Sequence, residues 1–168
     1  MITIRSVTPA DYSVIEAVIT AAFNQRDEAD LVERLRRDGD VLFEQVATLE
    51  DAVVGHILFS RLPIIRDDES VIAAASLAPL CVRPDCQNRG TGAALVGAGL
   101  DECRKRHVPA IIVVGEPDYY RRFGFAAAAA KPLAAPFAGP HFMAMELQSG
   151  VLKDGGEVRY PAAFGLPV

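Results

Sequence analysis

Apolar and polar residues alternate from Ile2 through Val7, a period of two that predicts an opening strand. Thr8-Pro9-Ala10-Asp11 then carries the marks of a helix start. The threonine can cap, proline is tolerated in a first turn, and the aspartate lies near the helix's positive end. Val14, Ile15, Val18, Ile19 and Ala22 continue at helical spacing. A second helix is expected over 27–37, with Leu31, Val32 and Leu35 on its apolar face and Asp38-Gly39 as its stop. Stretches 41–49 and 53–62 read as strands joined by a turn at Glu50-Asp51. After the charged turn Arg66-Asp67-Asp68-Glu69 a third strand is expected over 70–82, and the short connections make the three an antiparallel meander.

The pattern then changes character. A loop over 84–89 opens a helix expected over 90–107, with Ala93, Val96, Leu100 and Cys103 as its buried stripe. Ala110-Ile111-Ile112-Val113-Val114 is continuously apolar, as in a strand buried on both faces. Strand, helix and strand predict a right-handed crossover and a parallel pair. A short helix over 117–123 is stopped by Gly124, and the Ala- and Pro-rich stretch 126–140 reads as a loop or irregular hairpin. A closing strand is expected over 141–147, and a last extended piece near 158–160. There is no internal repeat and no linker. The expectation is one mixed α/β domain over 1–168, an α+β mixed sheet with its core in 1–147 and a tail in 148–168.

Composition narrows the partners. Of 168 residues, 51% are hydrophobic and 23% charged, enough apolar matter for a real core. The net charge of -5 gives no global basic footprint, so no nucleic acid is expected. Cys81, Cys86 and Cys103 lack CxxC spacing and the chain has only three histidines, so no metal site is expected and the thiols read as reduced. The N-terminal residues lack the layout of a signal peptide, and no apolar run approaches the roughly 20 residues needed to span a bilayer. The expectation is a cytoplasmic protein that does not engage a membrane.

The segment Leu80-Cys81-Val82-Arg83-Pro84-Asp85-Cys86-Gln87-Asn88-Arg89-Gly90-Thr91-Gly92 places a strand, a polar turn and glycines directly before a helix. Helix N-termini carry unpaired N–H groups and about half a unit of positive charge. Gly90 and Gly92 would let a phosphate approach those groups, and Arg89 and Arg83 could add charge locally. The physical reading is a pyrophosphate-binding turn; the bland reading is a tight connection. A dinucleotide fingerprint is disfavoured by Leu95 at the place of the third glycine, and there is no Walker lysine.

Gln87-x-x-Gly90-x-Gly92, after Val82-x-Pro84, resembles the coenzyme A signature of GNAT acetyltransferases. Tyr120-x-Arg122-Phe123-Gly124-Phe125 resembles the second signature of that superfamily. The order of elements over about 1–147 is similar as well. The resemblance implies a GNAT-like acyl-CoA N-acyltransferase fold and an N-acetyltransferase that passes the acetyl group of acetyl-CoA to a primary amine of an unidentified small molecule or peptide. Attack would be direct, through a tetrahedral intermediate, and the enzyme's contribution mainly positioning. By the same resemblance the pantetheine pairs with the backbone of Leu80, Cys81 and Val82, between parallel strands that splay apart. A backbone N–H near Leu80 would face the developing oxyanion. Gln87, Asn88, Arg89, Gly90, Thr91 and Gly92 would hold the pyrophosphate. Tyr119 and Phe123 would lie against the cofactor, and Tyr120 would protonate the departing thiolate.

Several roles stay open. Tyr120 and Phe123 could simply pack. Glu116 suits either a base acting through water or a charge at the N-terminus of the short helix. His56, in a central strand, reads as structural rather than as a base, and His141 similarly. A cysteine nucleophile is disfavoured, because no histidine neighbours Cys86 in sequence. A non-catalytic acyl-CoA binding or sensing module of the same fold is the alternative to an enzyme, as is transfer of a longer acyl group. The resemblance implies that 24–28 and 126–140 shape the acceptor site, and that a homodimer is compatible with the family.

Overall fold

The computed structural model describes residues 1–166. It comprises two compact units, one of Met1–Phe59 with Ala78–Glu102, the other of Ser60–Leu77 with the described residues from Cys103 on. The chain passes from one to the other inside two strands and one helix.

In the first unit, β1 (Ile2–Ser6) pairs antiparallel with β2 (Val41–Leu49), Ile2 opposite Leu49 and Ser6 opposite Gln45. β2 neighbours β3 (Ala52–Ile65), which neighbours β4 (Val71–Val82). Glu50 and Asp51, with φ of 49° and 64°, make the two-residue turn between β2 and β3. Both values lie in the left-handed region, which suits the twist of a tight hairpin. Asp11 Oδ2 accepts from Thr8 N at 2.8 Å, so the predicted helix start forms, as a 3₁₀ turn Pro9–Asp11 leading into α1 (Tyr12–Phe23). α1 buries Ile15, Val18 and Ile19 at the spacing of one helix face.

α2 (Asp27–Asp38) buries Ala29, Val32 and Leu35. Leu31, expected on that face, is half-buried instead. It stands about 100° around the helix from Val32, at the edge of the stripe. α3 (Thr91–Lys105) likewise buries Leu95 and Val96, with Ala93 left at the margin of the face. Phe43 and Phe59 stack at 4.8 Å between ring centres.

In the second unit β4 pairs in parallel with β5 (Ala110–Val114), Ala75 opposite Ile111 and Ser76 opposite Ile112. β5 pairs antiparallel with β7 (Phe142–Glu146) from Ala110–Glu146 to Val114–Phe142. The sheet is therefore mixed, a meander followed by a parallel crossover. α4 (Pro117–Tyr120) continues as a 3₁₀ turn Arg121–Phe123, closed by Gly124 at φ 107°. The Ala-rich stretch forms more structure than expected: a one-turn helix α5 (Ala127–Ala130) and a two-residue strand β6 (Leu133–Ala134). Tail strand β8 (Gly156–Val158) pairs with β3 and β6, and Leu152 and Val158 join the apolar cluster around Ile112, Phe142 and Leu133. No helix among the described residues is long and apolar enough to cross a membrane.

Candidate active site

In the first unit, a turn leads from β4 into α3. A 3₁₀ turn Pro84–Cys86 follows β4, and Gln87, Asn88, Arg89 and Gly90 are all exposed. Gln87 Nε2 donates to Val82 O at 3.0 Å, tying the turn back to the strand end. Asn88 and Gly90 take φ of 62° and 83°. At Gly90 a Cβ would meet no atom within 4 Å. Glycine is therefore needed there for its left-handed backbone and leaves open space beside the start of a 15-residue helix. Thr91, the first residue of that helix, is buried. Arg83 is already engaged: its guanidinium donates to Asp85 at 2.6 and 3.1 Å and to Cys86 Sγ at 3.5 Å. Arg89 is the exposed cation of the turn. Leu80 is half-buried, while Cys81 and Val82 are buried. Burial pushes the Cys81 thiol up to about 12, so it carries no thiolate at neutral pH.

The same unit holds a buried ionic cluster. Arg36 donates to both oxygens of Glu44 at 2.8 and 3.0 Å, and His56 Nε2 stands 2.8 Å from Glu44 Oε1. Burial works against the charge on Glu44, but the hydrogen bonds from His56 and Arg36 outweigh it and hold its pKa below the usual carboxylate range. Burial lowers the pKa of His56, with Glu44 opposing. A carboxylate only accepts, so the imidazole proton sits on Nε2. The other ring nitrogen, Nδ1, is buried and has no hydrogen-bond partner among the described residues.

In the second unit, residues that are distant in sequence converge on Gly115. His141 O accepts from Gly115 N at 3.0 Å, and the His141 ring Nδ1 lies 3.0 Å from Gly115 O. A carbonyl oxygen only accepts, so Nδ1 is the donor, and Nε2 takes no part in this contact. A Cβ on Gly115 would stand 2.5 Å from Tyr120 Cε2, so the missing side chain is what admits the tyrosine ring. Tyr120 also meets Tyr119 at 5.0 Å and Phe125 at 5.9 Å, edge to face. Burial, with a smaller push from Tyr119, raises Tyr120 to about 12, so it keeps its proton at neutral pH. Tyr119 packs on Phe123 at 5.5 Å and lies under the Arg122 guanidinium. Glu116 O accepts from the N–H groups of Tyr119 and Tyr120, both at 3.1 Å, while the side chain makes no cap bond and is exposed. The helix is thus capped by backbone and the carboxylate is not spent on it.

Sequence reasoning missed the His141–Gly115 tie. Its signal lies in the pairing of Val114 with Phe142, which only the folded register supplies.

A model of the GNAT acetyltransferase domain matches residues 3–128, which include both the glycine turn and the Tyr120 segment. The chain belongs to the GNAT acetyltransferase family. The Escherichia coli K12 protein named uncharacterized N-acetyltransferase YhbS is 33% identical over 137 residues, covering 81% of this chain and 80% of YhbS. The crystal structure of E. coli YhbS in complex with CoA is similar at a TM-score of 0.89 and 30% identity, over 98% of this chain and 92% of that one. A Brucella melitensis GNAT acetyltransferase in complex with acetyl-CoA gives 0.82 and 28% identity, over 98% of each chain. These two relatives are thus seen in complex with CoA and with acetyl-CoA, the cofactor that the resemblance implied.

Proposed function

We propose that this GNAT protein is an acetyl-CoA-dependent N-acetyltransferase acting on a primary amine of a small molecule or peptide. The observation that carries this reading is the left-handed, uncrowded Gly90 at the head of α3, next to the exposed Gln87, Asn88 and Arg89. A pyrophosphate suits that turn, because first-turn N–H groups and an arginine favour negative charge. Thr91 and Gly92 would complete the cradle. Leu80, Cys81 and Val82 would present strand backbone to the pantetheine. Val114 is exposed at the end of an otherwise buried β5. Tyr119 and Phe123 would flank the arm.

Acetyl-CoA supplies an acyl thioester. The neutral amine forms the new C–N bond at the thioester carbonyl, an N–H near Leu80 stabilises the oxyanion, and the C–S bond then breaks. Tyr120 gives its proton to the departing sulfur. A thiol of ordinary pKa about 8.5 is the stronger acid, so this transfer goes together with C–S cleavage rather than ahead of it. The proton lost by the attacking nitrogen passes through Glu116 or water and returns to the Tyr120 phenolate, which restores the balance.

Calorimetric binding of acetyl-CoA to the wild type and to Gly90→Glu tests the reading. The glutamate adds strain at positive φ and a negative charge at the phosphate position, and affinity should fall by about 100-fold or more. Equal affinity in the two proteins overturns the pyrophosphate turn. Binding without thiol release over an amine panel makes the protein an acyl-CoA binding module.

A further inference from the structure

A pocket of about 440 Å³ lies in the second unit, between α5 and the loop before β7. That volume falls in the roughly 300–1,000 Å³ range of small-molecule sites. Ala130, Leu133 and Phe142 line it as buried residues. Ala127 and Ala128 supply exposed wall, and Lys131 is the single charged residue on the lining. None of these residues takes part in the pyrophosphate turn or in the Tyr120 cluster.

The pocket is nonetheless tied to that cluster. Its lining residues Pro140 and Phe142 flank His141, which bonds Gly115 through both its backbone and its ring. Phe142 pairs with Val114, and the space beside Gly115 is filled by the Tyr120 ring. Pocket wall and tyrosine are therefore anchored on consecutive residues of one strand end, whose Cα atoms are about 3.8 Å apart. The pocket wall and the tyrosine are thus coupled through the hydrogen bonds of His141 to Gly115.

We propose that this pocket receives the side chain of the acceptor, and that Lys131 holds an anionic group on it, so that the acceptor is an apolar α-amino acid. This rests on the acetyltransferase reading for its chemistry, but not for its binding. Small alanine walls leave room that larger side chains would fill, and the buried side chains of the floor, Ala130, Leu133 and Phe142, are apolar. A polar side chain there would lose its hydration without a partner. The lysine supplies the one charge an amino acid's carboxylate needs, so a zwitterion is favoured over a plain amine.

The test has a binding arm and a turnover arm. Calorimetry with N-acetyl-L-phenylalanine, with and without CoA, measures pocket occupancy without any chemistry. Thiol release is then followed with phenylalanine, leucine, glycine and phenethylamine, in the wild type, Ala128→Trp and Lys131→Gln. Position 128 is an exposed wall residue, so the tryptophan fills the pocket without entering the core. Phenylalanine and leucine should exceed glycine in kcat/KM by about 10-fold or more. Ala128→Trp should raise their KM about 10-fold and abolish N-acetyl-phenylalanine binding, leaving acetyl-CoA affinity unchanged. Lys131→Gln should erase most of the preference for phenylalanine over phenethylamine. No binding of N-acetyl-phenylalanine to the wild type, or unchanged binding in Ala128→Trp, overturns the proposal. Equal rates for glycine and phenylalanine do the same. Should no amine turn over, the transferase reading fails separately, and the binding arm still decides the pocket.

Discussion

Two clusters of perturbed titratable groups behave in opposite ways. Around Glu44, burial is offset by two partners: Arg36 and His56 both bond the same carboxylate, leaving the His56 Nδ1 as a buried atom without a partner among the described residues. Around Gly115, burial raises Tyr120 as well, but the ring contacts and the His141 tie leave the working atoms uncommitted. The Tyr120 hydroxyl makes no hydrogen bond among the described residues. A shifted pKa is thus common to both and distinguishes nothing. What separates the two is whether the charged group is paired inside the cluster, as the Glu44 carboxylate is, or a reactive hydroxyl is left uncommitted, as at Tyr120.

The comparison is sharpened most by Tyr120→Phe. The ring contacts with Gly115, Tyr119 and Phe125 survive, and only the proton is lost. The rate of thiol release should fall by about 10²–10⁴-fold with the melting temperature unchanged within error. In the wild type no basic limb from the tyrosine should appear below pH 10, since its pKa is raised to about 12. A variant within threefold of wild type would make Tyr120 a packing residue and place both clusters in the same class.

Glu44→Ala should do the reverse. Removing the carboxylate strands Arg36 and the buried His56 Nε2–H, a loss of about 3–5 kcal/mol for a broken buried pair. Thermal unfolding should drop by roughly 6–20 °C at this chain length, with thiol release per folded molecule retained. If activity vanished while stability held, the cluster would be catalytic and the contrast wrong.

A smaller effect comes from protons. The folded pKa of His56 is lowered, so its stabilisation is complete above the unfolded value of about 6.5 and declines as pH falls below it, because the unfolded chain takes the proton first. The lowered Glu44, and Asp11 held well below the usual carboxylate range by Arg5, continue the loss below about pH 4. Urea titrations at pH 7 and pH 5 should differ by about 1–2 kcal/mol more in the wild type than in His56→Gln, since one proton contributes at most about 1.4 kcal/mol per pH unit. An unchanged difference would mean that His56 is charged in the fold.

The sequence shows some of this directly and hides the rest for physical reasons. Strand and helix periods carried the element order, and the turn at Glu50-Asp51 and the start at Thr8-Asp11 were legible because their chemistry is local. The order of Gln87, Gly90 and Gly92 was legible for the same reason. Leu31 and Ala93 were misplaced because a helix's buried face depends on what packs against it, not on its own apolar count. In 126–140 the alanines gave no contrast between faces, so α5, β6 and the pocket they frame could not be read. The His141–Gly115 and Glu44–His56 pairs span 26 and 12 residues, and only strand register brings them together.

The smallest effect separates an atom from a tie. In His141→Asn the side-chain amide can still donate to Gly115 O in place of Nδ1, and only Nε2 is lost. In His141→Val the tie itself goes, and with it part of what holds the strand end where the Tyr120 ring sits. His141 is exposed, and a water can do what its Nε2 would do, so Asn should retain thiol release within about threefold. Val should lose about tenfold in kcat, because a small displacement near the reacting groups is expensive. A pH profile of the Asn variant completes the comparison. An acidic limb that disappears with Nε2 would make His141 a proton acceptor and add one more uncommitted group to the open cluster. A limb that stays leaves His141 as the tether that keeps the cluster open.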